Sequence, residues 1–219
     1  MRRPVAERTK KRVKRTTCRM FDTPLIEFFS RINPLSPFAF WLPVMGLLSY
    51  WVVAGGMAVG LFTLLVVAGW LAWTLAEYLL HRYVFHFVGP TGWMRRFHFI
   101  AHGVHHDFPQ DAQRLVMPLG VSIPLGLLFF LLADLFLARP VACALLVGFG
   151  GGYLIYDGVH YFTHHLKARS RIGKFLKRYH MVHHHAGVEG LFGVSQPIWD
   201  YVFRTHSDRA TARSQAEAR

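Results

Sequence analysis

Four long apolar runs constrain the fold of this chain more than any other feature. They cover residues 38–55, 57–80, 116–138 and 141–161. Each run is long enough to cross the roughly 30 Å hydrocarbon core of a bilayer as a helix. Ala54, Gly55 and Gly56 mark the break between the first two runs, and Arg139 with Pro140 marks the break between the last two. The runs therefore predict an all-α integral membrane protein with four transmembrane helices in two hairpins.

Basic residues crowd the two ends of the chain, which has a formal net charge of +13. Nine Lys and Arg lie between Arg2 and Arg19, and ten lie between Lys167 and Arg219. Positive side chains stay on the cytoplasmic side of membrane spans and attract anionic head groups. We therefore expect cytoplasmic termini in contact with membrane lipids, and no nucleic-acid partner. Because each hairpin returns to the side it left, all fourteen histidines share that cytoplasmic side.

Most of the histidines fall into repeated spacings. On a helix, positions i, i+3 and i+4 share a face, so each HxxHH is expected to direct three imidazoles toward a common point and HxxxH to direct two. The first pair, five residues apart, points in two directions, which suits one ligand for each of two metals. The spaced histidines are His81, His86, His102, His105, His106, His160, His164, His180, His183 and His184.

Ten imidazoles are too many for one ion, because zinc sites take three or four protein ligands. The spacing therefore predicts two ions with about five histidines each. Neutral imidazole suits iron, zinc, copper and nickel. The two cysteines, Cys18 in the basic tail and Cys143 in an apolar run, indicate neither a disulfide framework nor a thiolate site.

Other residues are expected to support the ligands, because a metal-bound histidine usually donates its second N–H to a carboxylate or a carbonyl. Glu77 lies four residues before His81, and Asp157 lies three before His160, each on the helical face of that ligand. His98, four residues before His102, is a further candidate. We expect the other histidines to contact solvent, lipid head groups or the metal-binding histidines from outside. Asp107, Asp111 and Asp200 are weaker candidates for carboxylates that accept a ligand's N–H. The other histidines are His165, His185 and His206.

The sequence around these histidines resembles the fatty acid hydroxylase and sterol desaturase superfamily of membrane di-metal oxygenases. In chain order the pattern is HxxxxH, HGxHH, HxxxH and HxxHH. Residues 102–118 read HGVHHDFPQDAQRLVMP, residues 156–165 read YDGVHYFTHH and residues 192–203 read FGVSQPIWDYVF. These segments are most similar to those of fatty acid 2-hydroxylases, and the resemblance runs from about Glu77 to Thr205.

The resemblance implies a fold, a reaction and a ligand set. The fold is four transmembrane helices with a cytosolic helical cap that holds the histidine-rich di-metal site. The reaction is O2-dependent hydroxylation of a lipid acyl chain at the carbon beside its carbonyl. The implied ligands are the ten spaced histidines. Similar sequences usually have glycine where this chain has Arg204, which affects only the local turn geometry.

The chemistry favours iron, because an unactivated aliphatic C–H bond is beyond acid and base side chains and requires a redox metal. We expect two iron ions, for which zinc could substitute in a purified sample, with O2 as co-substrate. Nothing before Pro37 is long enough to be the cytochrome b5 domain that many eukaryotic members carry. Electrons are therefore expected from a separate protein of cytochrome b5 or ferredoxin type and its reductase.

The chain divides into three predicted parts. Residues 1–36 form a basic cytosolic tail and an interfacial segment, residues 37–206 form the membrane hydroxylase domain, and residues 207–219 form a polar tail. The expected absence of a fused cytochrome domain and a composition rich in Ala, Gly and Arg favour a bacterial inner membrane over the endoplasmic reticulum.

Proteins with other functions can have a similar arrangement of histidines. A carotenoid ring hydroxylase or a sterol-type desaturase would use much the same ligands, and only the sequences flanking the histidines favour an acyl 2-hydroxylase. A non-enzymatic membrane haem or metal-binding protein is the alternative of another class. Bis-histidine haem needs facing pairs within the bilayer and a transporter needs polar groups across it, whereas here the histidines cluster on one side.

Overall fold

A computed structural model of the chain describes residues 16–185 and 190–206. Residues 1–15 of the predicted N-terminal part and the whole predicted tail 207–219 lie outside the described residues. Four helices in the described part are long and apolar enough to cross a membrane, so the chain is a multi-pass membrane protein. These helices are α2 (Ser36–Ala54), α3 (Val59–Leu80), α6 (Leu119–Phe136) and α7 (Arg139–His165).

The first hairpin joins α2 to α3 through a turn built on glycine. Gly55 caps α2 by donating its amide to the carbonyl of Trp51 at 3.0 Å, and Gly56 follows with φ 94°. Only glycine adopts this left-handed conformation at little cost, which explains why the helix ends here. The predicted break at residues 54–56 is therefore confirmed.

The second hairpin turns two residues earlier than predicted. Arg139 and Pro140 belong to the first turn of α7, because proline has a suitable φ and needs no amide partner at a helix start. The turn itself is Leu137 and Ala138. Arg139 also makes two hydrogen bonds to Asp134, at 3.1 and 3.2 Å, which accounts for an acid near the end of a membrane span.

α7 is the central helix of the bundle. In its most apolar window 61% of the residues are buried, against 17–22% in the other spans. It crosses α3 at glycines on both helices: a Cβ on Gly148 would lie 1.9 Å from the carbonyl oxygen of Val66, and one on Gly69 would lie 2.1 Å from that of Leu145. The two backbones therefore touch, which fixes the distance between the helices.

Shorter helices form a cap beside the ends of α3 and α7. α3 continues directly into a π-helical turn, His81–Phe85, and α4 continues through a second one, Phe99–Gly103. Both π turns carry histidines into the cap. The remaining helices are α1 (Pro24–Phe29), α4 (Gly92–His98), α5 (Val104–Asp107), α8 (Arg171–His185) and α9 (Ile198–Val202).

Arg204 adopts a left-handed conformation with φ 56°. Such a φ favours glycine, so the local turn geometry is the property on which the arginine at this position bears. The turn is held nonetheless, because the amide of Thr205 donates to the carbonyl of Asp200 at 2.8 Å.

The close crossing of α3 and α7 leads to a prediction about stability. We expect Gly148→Ala to destabilise the protein by about 1–3 kcal/mol, because its methyl group forces the two backbones apart. Gly151→Ala, on the same helix, is the control, since a Cβ there meets nothing within 4 Å. Thermal unfolding in detergent should separate the two variants, and equal midpoints would contradict the packing described here.

Candidate metal centre

The structure brings the ten spaced histidines into two groups of five. Within each group the five ligand nitrogens lie within 4.8 Å of one another. The first group is His81, His86, His102, His106 and His183. The second group is His105, His160, His164, His180 and His184. The two groups touch, because the rings of His106 and His184 stack with centroids 4.1 Å apart.

The first histidine pair does not divide between two metals, as its spacing of five predicted. His81 and His86 belong to the same group, because the residues between them form a π-helical turn. The amide of His86 donates to the carbonyl of His81 at 3.1 Å, the i+5 bond of such a turn. The wider turn places residues five apart on one face.

The prediction that each HxxHH directs all three imidazoles to one point is also wrong. In the first motif, His102 and His106 join the first group and His105 joins the second. The second motif, on α8, does the reverse: His183 joins the first group, and its other two histidines join the second. Residues i and i+4 lie closest in angle on a helix, whereas i+3 projects from the opposite edge of the same face. Each motif therefore serves both groups.

The spacing of the nitrogens fits metal ions. The Nε2 atom of His81 lies 3.0 Å from that of His102 and 3.2 Å from that of His86. In the second group, Nε2 of His164 lies 2.8 Å from that of His180. Two nitrogens about 2.1 Å from one ion are about 3.0 Å apart at a right angle and about 3.4 Å apart at a tetrahedral angle. The groups thus fit right-angle ligation by five imidazoles, and the site is a di-metal site.

Burial keeps the imidazoles neutral, as metal ligands must be. It holds the pKa of His102, His105 and His180 well below the usual range, and the neighbouring histidines lower it further. The same causes lower the pKa of His106 to about 3. At neutral pH each ring therefore presents an unprotonated nitrogen to its group.

Two backbone carbonyls orient the first group. The Nδ1 atom of His81 donates to the carbonyl of Phe192 at 2.5 Å, and that of His183 donates to the carbonyl of Gly190 at 2.9 Å. Both acceptors lie in one loop, residues 190–195, which we call the anchor loop. With its Nδ1–H bonded in this way, each ring has only Nε2 free for a metal.

The anchor loop is itself held by two buried carboxylates. Glu77 accepts the amides of Val194 and Ser195, each at 2.8 Å, rather than contacting His81 as its position on the helix predicted. Asp200 accepts the amides of Phe192 and Gly193 at 2.8 and 2.7 Å. Glu77 therefore supports the ligand through the loop. The loop carbonyls were missed, since a backbone acceptor has no sequence signature.

The second group lacks such anchors within the described residues. All five of its Nδ1 atoms are buried without a hydrogen-bond partner in that part of the chain. Asp157 is fully buried, yet neither of its oxygens has a partner among the same residues, so its predicted contact with His160 is not observed.

The remaining histidines lie outside both groups. His98 donates its Nδ1 proton to the carbonyl of Phe85 at 2.7 Å, and so joins α4 to the π turn that precedes His86. His185 is exposed at the end of α8, and His206 stacks on Tyr201. His165 packs against Tyr161, with ring centroids 4.7 Å apart.

A cavity of about 540 Å³ reaches the metal centre. His102 and His105, one from each group, form part of its wall, and most of the other lining residues are apolar. Its buried lining residues include Val104, Leu115 and Val116. The volume is within the range of small-molecule sites, about 300–1,000 Å³.

Comparison with known proteins identifies the family. The sequence profile of the fatty acid hydroxylase family matches residues 66–205. This chain belongs to the fatty acid hydroxylase family. The match covers both π turns, all ten grouped histidines and both carboxylates that hold the anchor loop. It confirms the superfamily and the membrane hydroxylase class predicted from the histidine motifs.

Relatives in plants, mammals and yeast share a similar level of identity. A dihydroceramide fatty acyl 2-hydroxylase of Arabidopsis thaliana is 35% identical over 187 residues, which cover 85% of this chain and 79% of the plant protein. The fatty acid 2-hydroxylase of Rattus norvegicus is 33% identical, and the match covers 85% of this chain and 56% of the rat protein. A ceramide very long chain fatty acid hydroxylase of Saccharomyces cerevisiae is 37% identical, with 82% and 48% covered.

A solved structure has the same fold. The structure of full-length Scs7p, in which only the hydroxylase domain is visible, superimposes with a TM-score of 0.79 at 34% identity. The superposition covers 83% of this chain and 69% of that chain. The four-span architecture with a helical cap and a histidine-rich di-metal site, which the resemblance implied, is therefore confirmed.

The anchor loop makes a prediction about metal content. In Asp200→Asn the new amide faces the amide of Gly193, so the loop carbonyls lose their position. We expect metal affinity at the first group to fall roughly 10- to 100-fold, the usual effect of losing an outer partner. Metal analysis after mild chelation should then find about one ion per chain rather than two. Asp134→Asn at the far hairpin is the control, and equal loss in both variants would contradict the role of the loop.

Proposed function

We propose that this chain uses O2 to insert a hydroxyl group into a lipid acyl chain, at the carbon beside the acyl carbonyl. The observation that carries the proposal is the apolar cavity that ends at His102 and His105, so that a chain within it would reach both histidine groups. The names of the plant, rat and yeast relatives support an acyl substrate and, for two of them, the 2-position.

The two metals are proposed to be iron, each held by the five histidines of one group. When bound, the iron pair would supply the activation of O2 and the removal of hydrogen from an aliphatic C–H bond, which no side chain of this chain could achieve. Zinc, which also suits imidazole ligands, could replace iron in a purified sample without supporting the reaction.

The protein itself has three tasks in this reaction. The anchor loop orients His81 and His183 by accepting their Nδ1 protons. The apolar lining excludes water and holds the substrate chain in one path. The buried residues around the ligands, including Tyr156 at the inner end of the cavity, limit where the reacting carbon can lie.

The balance of the reaction requires an external partner. One oxygen atom enters the C–H bond and the other leaves as water, which consumes two electrons and two protons. We propose that a separate electron-transfer protein of cytochrome b5 or ferredoxin type, with its reductase, supplies the electrons. The bias of Lys and Arg toward the histidine side supports a cytoplasmic centre with both termini on the same side. We favour a bacterial inner membrane.

Lipid analysis of a host that expresses the chain tests this function. We expect 2-hydroxy acyl chains in lipid extracts, and their loss by at least tenfold in His183→Ala, which removes one ligand of the first group. His185→Ala is the matched control, because this neighbouring histidine is exposed and belongs to neither group. Mass spectrometry after hydrolysis of the lipids measures the products.

The same experiment separates the alternatives. Ring-hydroxylated carotenoids or newly desaturated sterols, in place of 2-hydroxy acyl chains, would contradict the acyl assignment while preserving the metal centre. Equal product from His183→Ala and the unmodified chain would contradict the role of the histidine groups.

A further inference from the structure

The cavity has a buried inner end and an exposed outer end. Its inner end lies at the histidines. At its outer end, the lining side chains are both exposed and apolar: Ile26 is 49% exposed, Phe29 65%, Val121 47% and Leu125 42%. Val121 and Leu125 lie in the first two turns of the membrane span α6. The outer end therefore opens beside a membrane span, where it meets lipid.

One wall of the cavity is the segment of residues 16–32, which includes α1 and which we call the N-terminal strap. Met20, Phe21, Ile26, Phe29 and Ser30 of the strap line the cavity. The strap presents further exposed apolar side chains that do not line the cavity. They include Leu25, which is 66% exposed, and Phe28, which is 72% exposed. A short helix with such a surface suits the membrane interface.

Several polar contacts hold the strap to the cap, among them a hydrogen bond from Arg96 to the carbonyl of Met20 and an ion pair. Glu27 Oε1 lies 2.5 Å from a guanidinium nitrogen of Arg114, whose side chain is only 2% exposed. The amide of Ile32 donates to the carbonyl of Gln113 at 2.8 Å, and Thr17 donates to Asp111. We call the pair Glu27–Arg114 the latch.

The latch also neutralises the cavity wall. Arg114 is the one Lys, Arg, Asp or Glu among the described residues that line the cavity, and Asp111 lies 3.6 Å from it in addition to Glu27. A free fatty acid or the phosphates of an acyl-CoA would therefore find no unpaired Lys or Arg among the described residues that line the cavity. A neutral ester or amide of a lipid needs none, so its acyl chain fits without an uncompensated buried charge.

We propose that the gap between the strap and α6 is a lateral doorway, through which the acyl chain of an intact bilayer lipid reaches the metal centre, and that the latch holds the strap at this doorway. This inference rests on the proposed function, because that function makes the metal centre the place where the acyl chain reacts. It adds the route of the substrate and the residues that control it.

Photolabelling tests the doorway without any turnover. The probe is a ceramide-like lipid with a diazirine in its acyl chain, incorporated into vesicles that contain the metal-loaded protein. We expect labelling of the inner lining residues Val104, Leu115 and Val116, and a fall of about tenfold in Ile26→Trp and Val121→Trp. Leu132→Trp is the control, because this exposed side chain on α6 does not line the cavity.

The latch has its own test on the same vesicles. Glu27→Gln should free the strap, so that trypsin cleaves after Arg19 several times faster while the metal content stays at that of the unmodified protein. Arg31→Gln breaks only the exposed pair with Glu27, 3.4 Å long, and should leave cleavage after Arg19 unchanged. Equal cleavage of both variants would overturn the latch.

Two outcomes would overturn the doorway. One is labelling of the inner lining residues that stays unchanged in both Ile26→Trp and Val121→Trp. The other is stronger inner labelling by a soluble photoreactive acyl-CoA than by the bilayer lipid. Neither depends on hydroxylation, so a failure of the proposed reaction would leave the labelling pattern intact and would be seen only in the lipid products.

Discussion

Ten neutral imidazoles pack with their Nε2 atoms about 3 Å apart, and the rest of the structure depends on this arrangement. Burial keeps the rings unprotonated, so unshared electron pairs face one another within each group. A cation at the centre of each group turns that repulsion into attraction. The spans, the π turns and the anchor loop together keep five rings in place around each such position.

The fold achieves this with a close helix crossing and with π-helical turns. The glycine crossing of α3 and α7 brings two ligand-bearing helix ends together, and the π turns widen the helix so that His81 and His86 face the same way. The carboxylates of Glu77 and Asp200 hold the anchor loop, whose carbonyls orient the rings of His81 and His183. An apolar cavity lined by residues of α6 then reaches this polar centre at His102 and His105, so that an apolar chain inside it could approach both histidine groups.

Much of this could be predicted from the sequence, because long apolar runs and repeated histidine spacings have few physical explanations. The four spans were confirmed to within a few residues at most ends, and the five-and-five division agrees with the two groups. The placement of His81 and His86 in one group could not be predicted, because a π turn is defined by a backbone bond that has no residue signature. The latch was missed because its partners lie 87 residues apart.

The ten histidines are central to this protein if, as proposed, they hold two metal ions with nitrogen ligands. Metal analysis combined with X-ray absorption of the purified, iron-loaded protein tests this claim most directly. We predict two iron ions per chain, each with a first coordination sphere of about five imidazole nitrogens and no sulfur. One ion per chain, or a sulfur shell around either ion, would contradict the claim.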